Sequence, residues 1–260
     1  MRKILVVLAV VLAGCTEPAV TPSPEPSPTP QKDVKAEVLK IADQSACGAY
    51  SWKNRGRAPK AYIRGMALAY AAQLSSPNKF MQSATGNAAY DALAHYGIAV
   101  REGREALRTT WTLLIGLGMR ESSGKHCCGK DASADNTSAS GAEAGALQAS
   151  YNSMSNPYMA SAKEAQAVLA GIYAKYKAGS APCDLDVWSQ GVVCGADNWK
   201  NWGVGEGVTF QKLSKECPRF SAEYNATLIR VLRKHHGPLI RKEAEYRPEC
   251  EQMLKAIEAI

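Results

Sequence analysis

The chain has no apolar run long enough to cross a bilayer. Its longest, Ile4 to Ala13, is ten residues, where a spanning helix needs roughly 20. Its eight cysteines include no Cys-x-x-Cys pair, so the usual spacings of zinc ribbons and thioredoxin-like redox sites are missing. No phosphate loop is present either, because "GVGEG" at 203–207 lacks the lysine and hydroxyl that such a loop needs. Alternating strand patterns are scarce, "GVVC" at 191–194 being about the best, which argues against a sheet-built fold. Nor does one sign of charge dominate: 31 Lys and Arg face 24 Asp and Glu, a net +7. Such a modest basic excess suits an anionic polymer or surface without selecting one. Nothing beyond it points to nucleic acid, and no nucleic-acid partner is expected.

The N-terminus supplies the first positive information. Arg2 and Lys3 precede the apolar run, and Gly14 and Cys15 follow it. This is the layout of a signal peptide over residues 1–14. The tetrad Leu12-Ala13-Gly14-Cys15 resembles the bacterial lipobox, which implies that Cys15 is lipidated and becomes the mature N-terminus. An ordinary secretory signal with a chance cysteine is the alternative. Thr16 stands where an inner-membrane retention signal would have Asp, so the resemblance implies a periplasmic protein anchored to the outer membrane. Residues 16–30, "TEPAVTPSPEPSPTP", place proline at nearly every second position, removing amide donors and fixing φ. Together with Cys15 they read as an extended tether over 15–30, reaching from a membrane towards something fixed, most simply the cell wall. Residues 31–260 are the size of one large domain, with no second low-complexity linker and no internal repeat.

Seven cysteines remain beyond Cys15, at 47, 127, 128, 183, 194, 217 and 250. An oxidising compartment favours disulfides, although spacing does not fix their pairing. Cys183 and Cys194 bracket a loop they could close, and the odd count leaves at least one thiol free unless the chain dimerises through it. A zinc site built on His126 beside Cys127 and Cys128 is the competing reading. No metal is expected.

Helical periodicity dominates the body. Asp33 can cap a helix carrying Val34, Val38 and Ile41, and Pro59 can open one carrying Ile63, Met66, Tyr70 and Leu74. Ser161 to Glu164 reads as a capping box ahead of Val168, Leu169, Ile172 and Tyr176, with Gly179 as the stop. Phe220, Tyr224, Leu228, Val231 and His235 keep helical spacing, as do Cys250, Met253 and Ile257. His235-His236 reads as a pair at a helix end, favoured by the negative end of the dipole. The expectation is a mainly α domain with little β structure.

One helix, expected over 101–121, holds the sharpest signal. Leu107, Trp111, Leu114, Gly118 and Glu121 fall on one face. Gly116 and Gly118 each cost a helix roughly 1 kcal/mol relative to Ala, which close approach of a neighbouring segment would explain. Glu121 thus lies at the inner end of an apolar stripe. Shielding there raises a carboxyl's pKa, and an acid still protonated near neutrality can donate to a leaving oxygen. A helix-terminal Glu that swings into solvent is the plainer alternative.

"MRESSG" at 119–124, followed by "GAEAGALQASYNS" at 141–153, resembles the motif pair of goose-type lysozymes and soluble lytic transglycosylases. The resemblance covers residues 110–155 and implies a lysozyme-like helical domain with a substrate cleft. It implies Glu121 as the catalytic acid and Ser122 as the serine that follows it. Gly145, Leu147 and Gln148 match the second motif, with Gln148 lining the sugar site. Tyr224-Asn225-Ala226 partly matches a third motif, but Thr227 replaces its glycine; Tyr224 then either faces the cleft or belongs to the core. Glu143 is the first candidate for a second carboxylate, ahead of Asp131 and Asp135. Asp131, Ser133 and Asp135 begin like a calcium loop, but Asn136 and Ala142 replace its glycine and glutamate, so no calcium is expected. Tyr151, Tyr158, Trp199 and Trp202 are candidates for stacking on sugars.

The function implied is a muramidase cutting β-1,4 glycan strands of peptidoglycan, without a cofactor. A lytic transglycosylase leaving 1,6-anhydro ends is one alternative. A non-catalytic, wall-binding lipoprotein is the other.

Overall fold

A computed structural model describes residues 33–86, 89–129, 138–155 and 163–260. The signal peptide, Cys15, the tether, Asp131, Ser133, Asp135, Tyr158 and Ser161 lie outside the described residues. The protein is mainly α-helical. The chain runs through α1 (Val34–Gln44) and α2 (Ala46–Ala49) into a hairpin of β1 (Ser51–Trp52) and β2 (Gly56–Arg57). There follow α3 (Lys60–Ser75), α4 (Lys79–Gln82), α5 (Ala92–Tyr96) and α6 (Arg104–Ser122). The second half holds α7 (Lys163–Lys177), α8 (Leu185–Trp188), α9 (Glu206–Glu216), α10 (Pro218–Val231), α11 (Gly237–Ile240) and α12 (Pro248–Ile257).

Local chemistry explains most of these boundaries. The Asp33 carboxylate accepts the amide of Ala36 at the start of α1, while Asn78 and Asp91 cap α4 and α5. Proline opens α10 and α12, where its missing N–H costs nothing. "GVVC" forms no strand: residues 191–194 are turn and irregular chain, and Val193 is exposed. The two antiparallel strands, of two residues each, pair Ser51 with Arg57 and Trp52 with Gly56.

Helix α6 is the axis of the domain. From Ala106 to Met119 every residue except Arg108 is buried, so the expected stripe is one face of a helix enclosed on all sides. Its threonines survive burial by bonding within the helix, Thr110 to the Ala106 carbonyl at 2.7 Å and Thr112 to that of Arg108 at 2.9 Å. The glycines admit neighbours, as expected. A Cβ on Gly116 would strike the Glu245 carbonyl, and one on Gly118 the Tyr62 hydroxyl, which donates to the Ile115 carbonyl at 2.8 Å. Gly116→Ala is therefore expected to destabilise the fold by about 1–3 kcal/mol, despite Ala's better helix propensity. Urea denaturation checks this, and an unchanged midpoint would refute the close approach.

One core cluster gathers around α3, α6 and α12, and a second, aromatic one around α7, α9 and α10. Helix α10 serves both, with Ala222, Ala226 and Ile229 on one face and Phe220, Tyr224 and Leu228 on the other. Three disulfides join Cys47 to Cys250, Cys127 to Cys194 and Cys183 to Cys217. Cys183 and Cys194 do not close a loop between them, and Cys128 belongs to none of the three bridges. Such bridges fit an extracytoplasmic location. Among the described residues no helix is long and apolar enough to cross a membrane.

Candidate active site

Glu121 occupies the last turn of α6, where the helix stops abruptly. Ser123 (φ 56°) and Gly124 (φ 74°) take left-handed conformations, and their amides return to the carbonyls of Met119 and Gly118. This is the closing pattern that satisfies a helix C-terminus. The Glu121 side chain is only 17% exposed. Burial pushes its pKa up to about 7, against the opposing pull of Arg241, Arg55 and Arg120. Glu121 therefore does not swing out into solvent.

A second influence on that proton comes from His236, which is buried and whose Nδ1 lies 3.7 Å from Glu121 Oε1. The far side of its ring fixes the tautomer. Asn225 uses its amide N–H to donate to the Ser221 carbonyl at 2.8 Å, which leaves Asn225 Oδ1 facing His236 Nε2 at 3.1 Å. Nε2 must then carry the hydrogen, and Nδ1 presents a bare lone pair towards Glu121. Burial lowers the pKa of both His235 and His236 to about 3, so the imidazoles are neutral at physiological pH. A lone pair repels a carboxylate and welcomes a carboxylic acid. The histidines are thus not a charged pair at a helix end: α10 stops at Val231, and desolvation outweighs any dipole.

The second motif folds against the end of α6. The Ser122 hydroxyl is shared between the carbonyls of Gly118 at 3.1 Å and Ala146 at 2.8 Å, pinning residues 138–149 to the helix. Gly145 donates its amide to the Cys128 carbonyl at 2.8 Å. Gln148, at φ 48°, turns its side-chain amide inward to the carbonyls of Gly145 at 2.7 Å and Cys128 at 3.2 Å. Leu147 is fully buried. The Ser122 hydroxyl and the Gln148 amide nitrogen thereby hold the loop, both donating to backbone carbonyls. Glu143, on the same loop, has Oε1 4.0 Å from His235 Nε2. The two histidine rings are 4.8 Å apart, so Glu121 and Glu143 stand beside successive members of one histidine pair.

Other sequence-derived candidates lie elsewhere. Tyr224 is a core residue, not a cleft residue: it is fully buried, its ring packs on Phe210 and Phe220, and its hydroxyl pairs with Ser153 at 2.7 Å. Tyr151 is half-buried in the same aromatic cluster, against Tyr173 and Phe210. Trp199 is 38% exposed beside His126. The ligand atoms of His126, Cys127 and Cys194 do converge within 4.8 Å of one another, but the two sulfurs are bonded together. A disulfide offers no thiolate to a metal.

Beside the C-terminal half of α6 lies a cavity of about 430 Å³, walled by the hairpin, by α6 and by residues 241–245. It contains Arg55, Arg120 and Arg241, the cations that act on Glu121. The sequence does not single out these three arginines, His236 or Asn225. Their roles arise from tertiary approach, and only the adjacent pair His235-His236 marks the place in the chain. No family model, curated protein or solved structure matches the chain.

Proposed function

We propose that the chain is a lipid-anchored enzyme that cleaves the β-1,4 glycan strands of peptidoglycan, with Glu121 as general acid. The observation that carries this reading is a carboxyl held at the end of a buried helix with its pKa raised to about 7. Such a group keeps its proton near neutral pH and can pass it to a glycosidic oxygen as the bond breaks. The neutral His236, its lone pair turned towards Glu121, favours the protonated form before the step. In this reading Glu143, beside His235, is the second carboxylate, which would activate a water and give a reducing end. Cys15 carries the lipid, and residues 16–30 hold the domain off the outer membrane within reach of the wall.

A second reading has a specific observation in its favour. A carboxyl titrating near 7 serves equally as acid and then as base, the sequence a lytic transglycosylase requires. Digestion of purified peptidoglycan by the full chain separates the readings, since mass spectrometry resolves reducing ends from 1,6-anhydro ends by one water. Reducing ends are expected. Anhydro ends would assign both proton transfers to Glu121 and remove Glu143 from the chemistry. Fragments from neither acetylated nor deacetylated wall would leave a wall-binding lipoprotein.

A further inference from the structure

The cavity beside Glu121 has a charge pattern that cleaving a neutral sugar backbone does not use. Five cationic side chains line it, Lys53, Arg55, Arg120, Arg241 and Lys242, against two carboxylates. Both carboxylates are already engaged. Glu243 is bonded by Arg120 at 3.1 Å and by Arg241 at 2.8 and 3.1 Å, and these cations hold its pKa down at about 2. Glu245 accepts the Tyr50 hydroxyl and the Lys53 amide, each at 2.7 Å. Arg55 donates to a neutral acceptor, the Arg120 carbonyl, at 2.5 Å. Lys53 and Lys242 are exposed at the rim. The cavity therefore carries an excess of positive charge after its internal pairs are formed.

Its dimensions and walls narrow the ligand further. About 430 Å³ falls within the range of small-molecule sites, roughly 300–1,000 Å³, and is far more than a bare inorganic ion fills. Trp52, Gly116 and Met119 supply apolar wall between the cations. Charge on the rim with apolar surface behind it matches a short peptide that carries carboxylates and small aliphatic side chains. Arg120 in the cavity wall directly precedes Glu121 in α6, and Arg55 and Arg241 also act on the Glu121 carboxyl, which brings the cavity near the proposed acid. In a glycan strand of peptidoglycan, every second sugar carries such a peptide.

We infer that this cavity binds a carboxylate of the stem peptide attached to the glycan strand. The inference rests on the cleavage reading and deepens it, making the enzyme one that recognises peptide-bearing strands rather than bare glycan. It gives the hairpin a purpose, since the turn 53–55 brings Lys53 and Arg55 to the mouth of the cavity.

The test measures binding, so it does not depend on turnover. The full chain carrying Glu121→Gln is titrated with a muramyl peptide fragment, with the same fragment amidated at its carboxylates, and with inorganic phosphate. Amidation is expected to weaken binding about tenfold or more, and the double substitution Lys53→Glu, Lys242→Glu to do the same for the acidic fragment only. Equal binding of acidic and amidated fragments would overturn the inference, and this ligand-side comparison stands even if the double variant fails to fold. Phosphate competing as well as the acidic fragment would also overturn it, reducing the cavity to a general anion site. Carboxylate-dependent binding by a chain whose unsubstituted form cuts no wall would retain the cavity and reject the cleavage reading. Cutting without carboxylate dependence would do the reverse.

Discussion

Glu121→Gln is expected to lower glycan cleavage by about 10²–10⁴-fold while raising the stability of the protein at pH 8. Few substitutions combine those outcomes. The amide keeps the shape of the side chain but has no proton to give. The stability gain follows from the raised pKa. With the folded value about 7 and the unfolded value near the ordinary 4.3, the folded state holds this proton more tightly. The stabilisation is complete below the unfolded pKa and is lost as pH rises through about 7. At about 1.4 kcal/mol per pKa unit, roughly 4 kcal/mol is lost on ionising the buried group, and an amide avoids that cost. Cleavage by the natural chain should accordingly fall as pH rises through about 7. Denaturant melts of both proteins at pH 5 and pH 8 check the first part. Equal stability differences at the two pH values would show that Glu121 is not a shielded acid, whatever its activity.

Arg230→Met is expected to destabilise the fold by about 3–5 kcal/mol, the usual consequence of leaving a buried charge unpaired. Arg230 is fully buried and grips both oxygens of the buried Asp91 at 3.0 Å, from Nε and Nη2. Its remaining donors reach Thr110 Oγ1 at 3.1 Å and the Ser83 carbonyl at 2.9 Å. Asp91 in turn accepts the amides of Leu93 at 2.9 Å and Gly86 at 2.7 Å. The pair therefore clasps α5, α6 and α10 and the chain around residue 83 through side chains far apart in sequence. Replacing both members, Arg230→Met with Asp91→Leu, should cost less than the sum of the two single changes, because neither charge is then stranded. A single-variant loss below about 1 kcal/mol, or strict additivity in the cycle, would show that solvent reaches the pair.

Most of the architecture was legible from short-range rules. Asp33, Pro59 and Gly179 mark helix ends through capping and backbone conformation, which are local properties, and α6 carried its glycines and Glu121 in a readable order. Periodicity did not reveal that α6 is enclosed on every side. Thr109, Thr110 and Thr112 look polar in sequence, yet Thr110 and Thr112 hide their hydroxyls on the carbonyls one turn back. Tyr224 shows the same limit from the other side. Its spacing is equally that of a core residue or of one facing a ligand, and only the packing of Phe210 and Phe220 decides. The partnership of Glu121 with His236 was out of reach, since those residues are distant in the chain and meet only once α10 and α11 have closed over α6. The disulfide pairing was out of reach for the same reason.

The bridge between Cys47 and Cys250 makes the body topologically a ring. It spans 203 residues and encloses the other two bridges and every residue assigned a role in proton transfer. A protease that cuts one peptide bond between those cysteines opens the ring without releasing either piece. Closure must also come late: α12, which carries Cys250 and packs on α1, α2, α3 and α6, is delivered only when nearly the whole chain has arrived. The surroundings of Glu121 are thus complete only once that last helix is in place, and the bridge then ties the two ends of the body together.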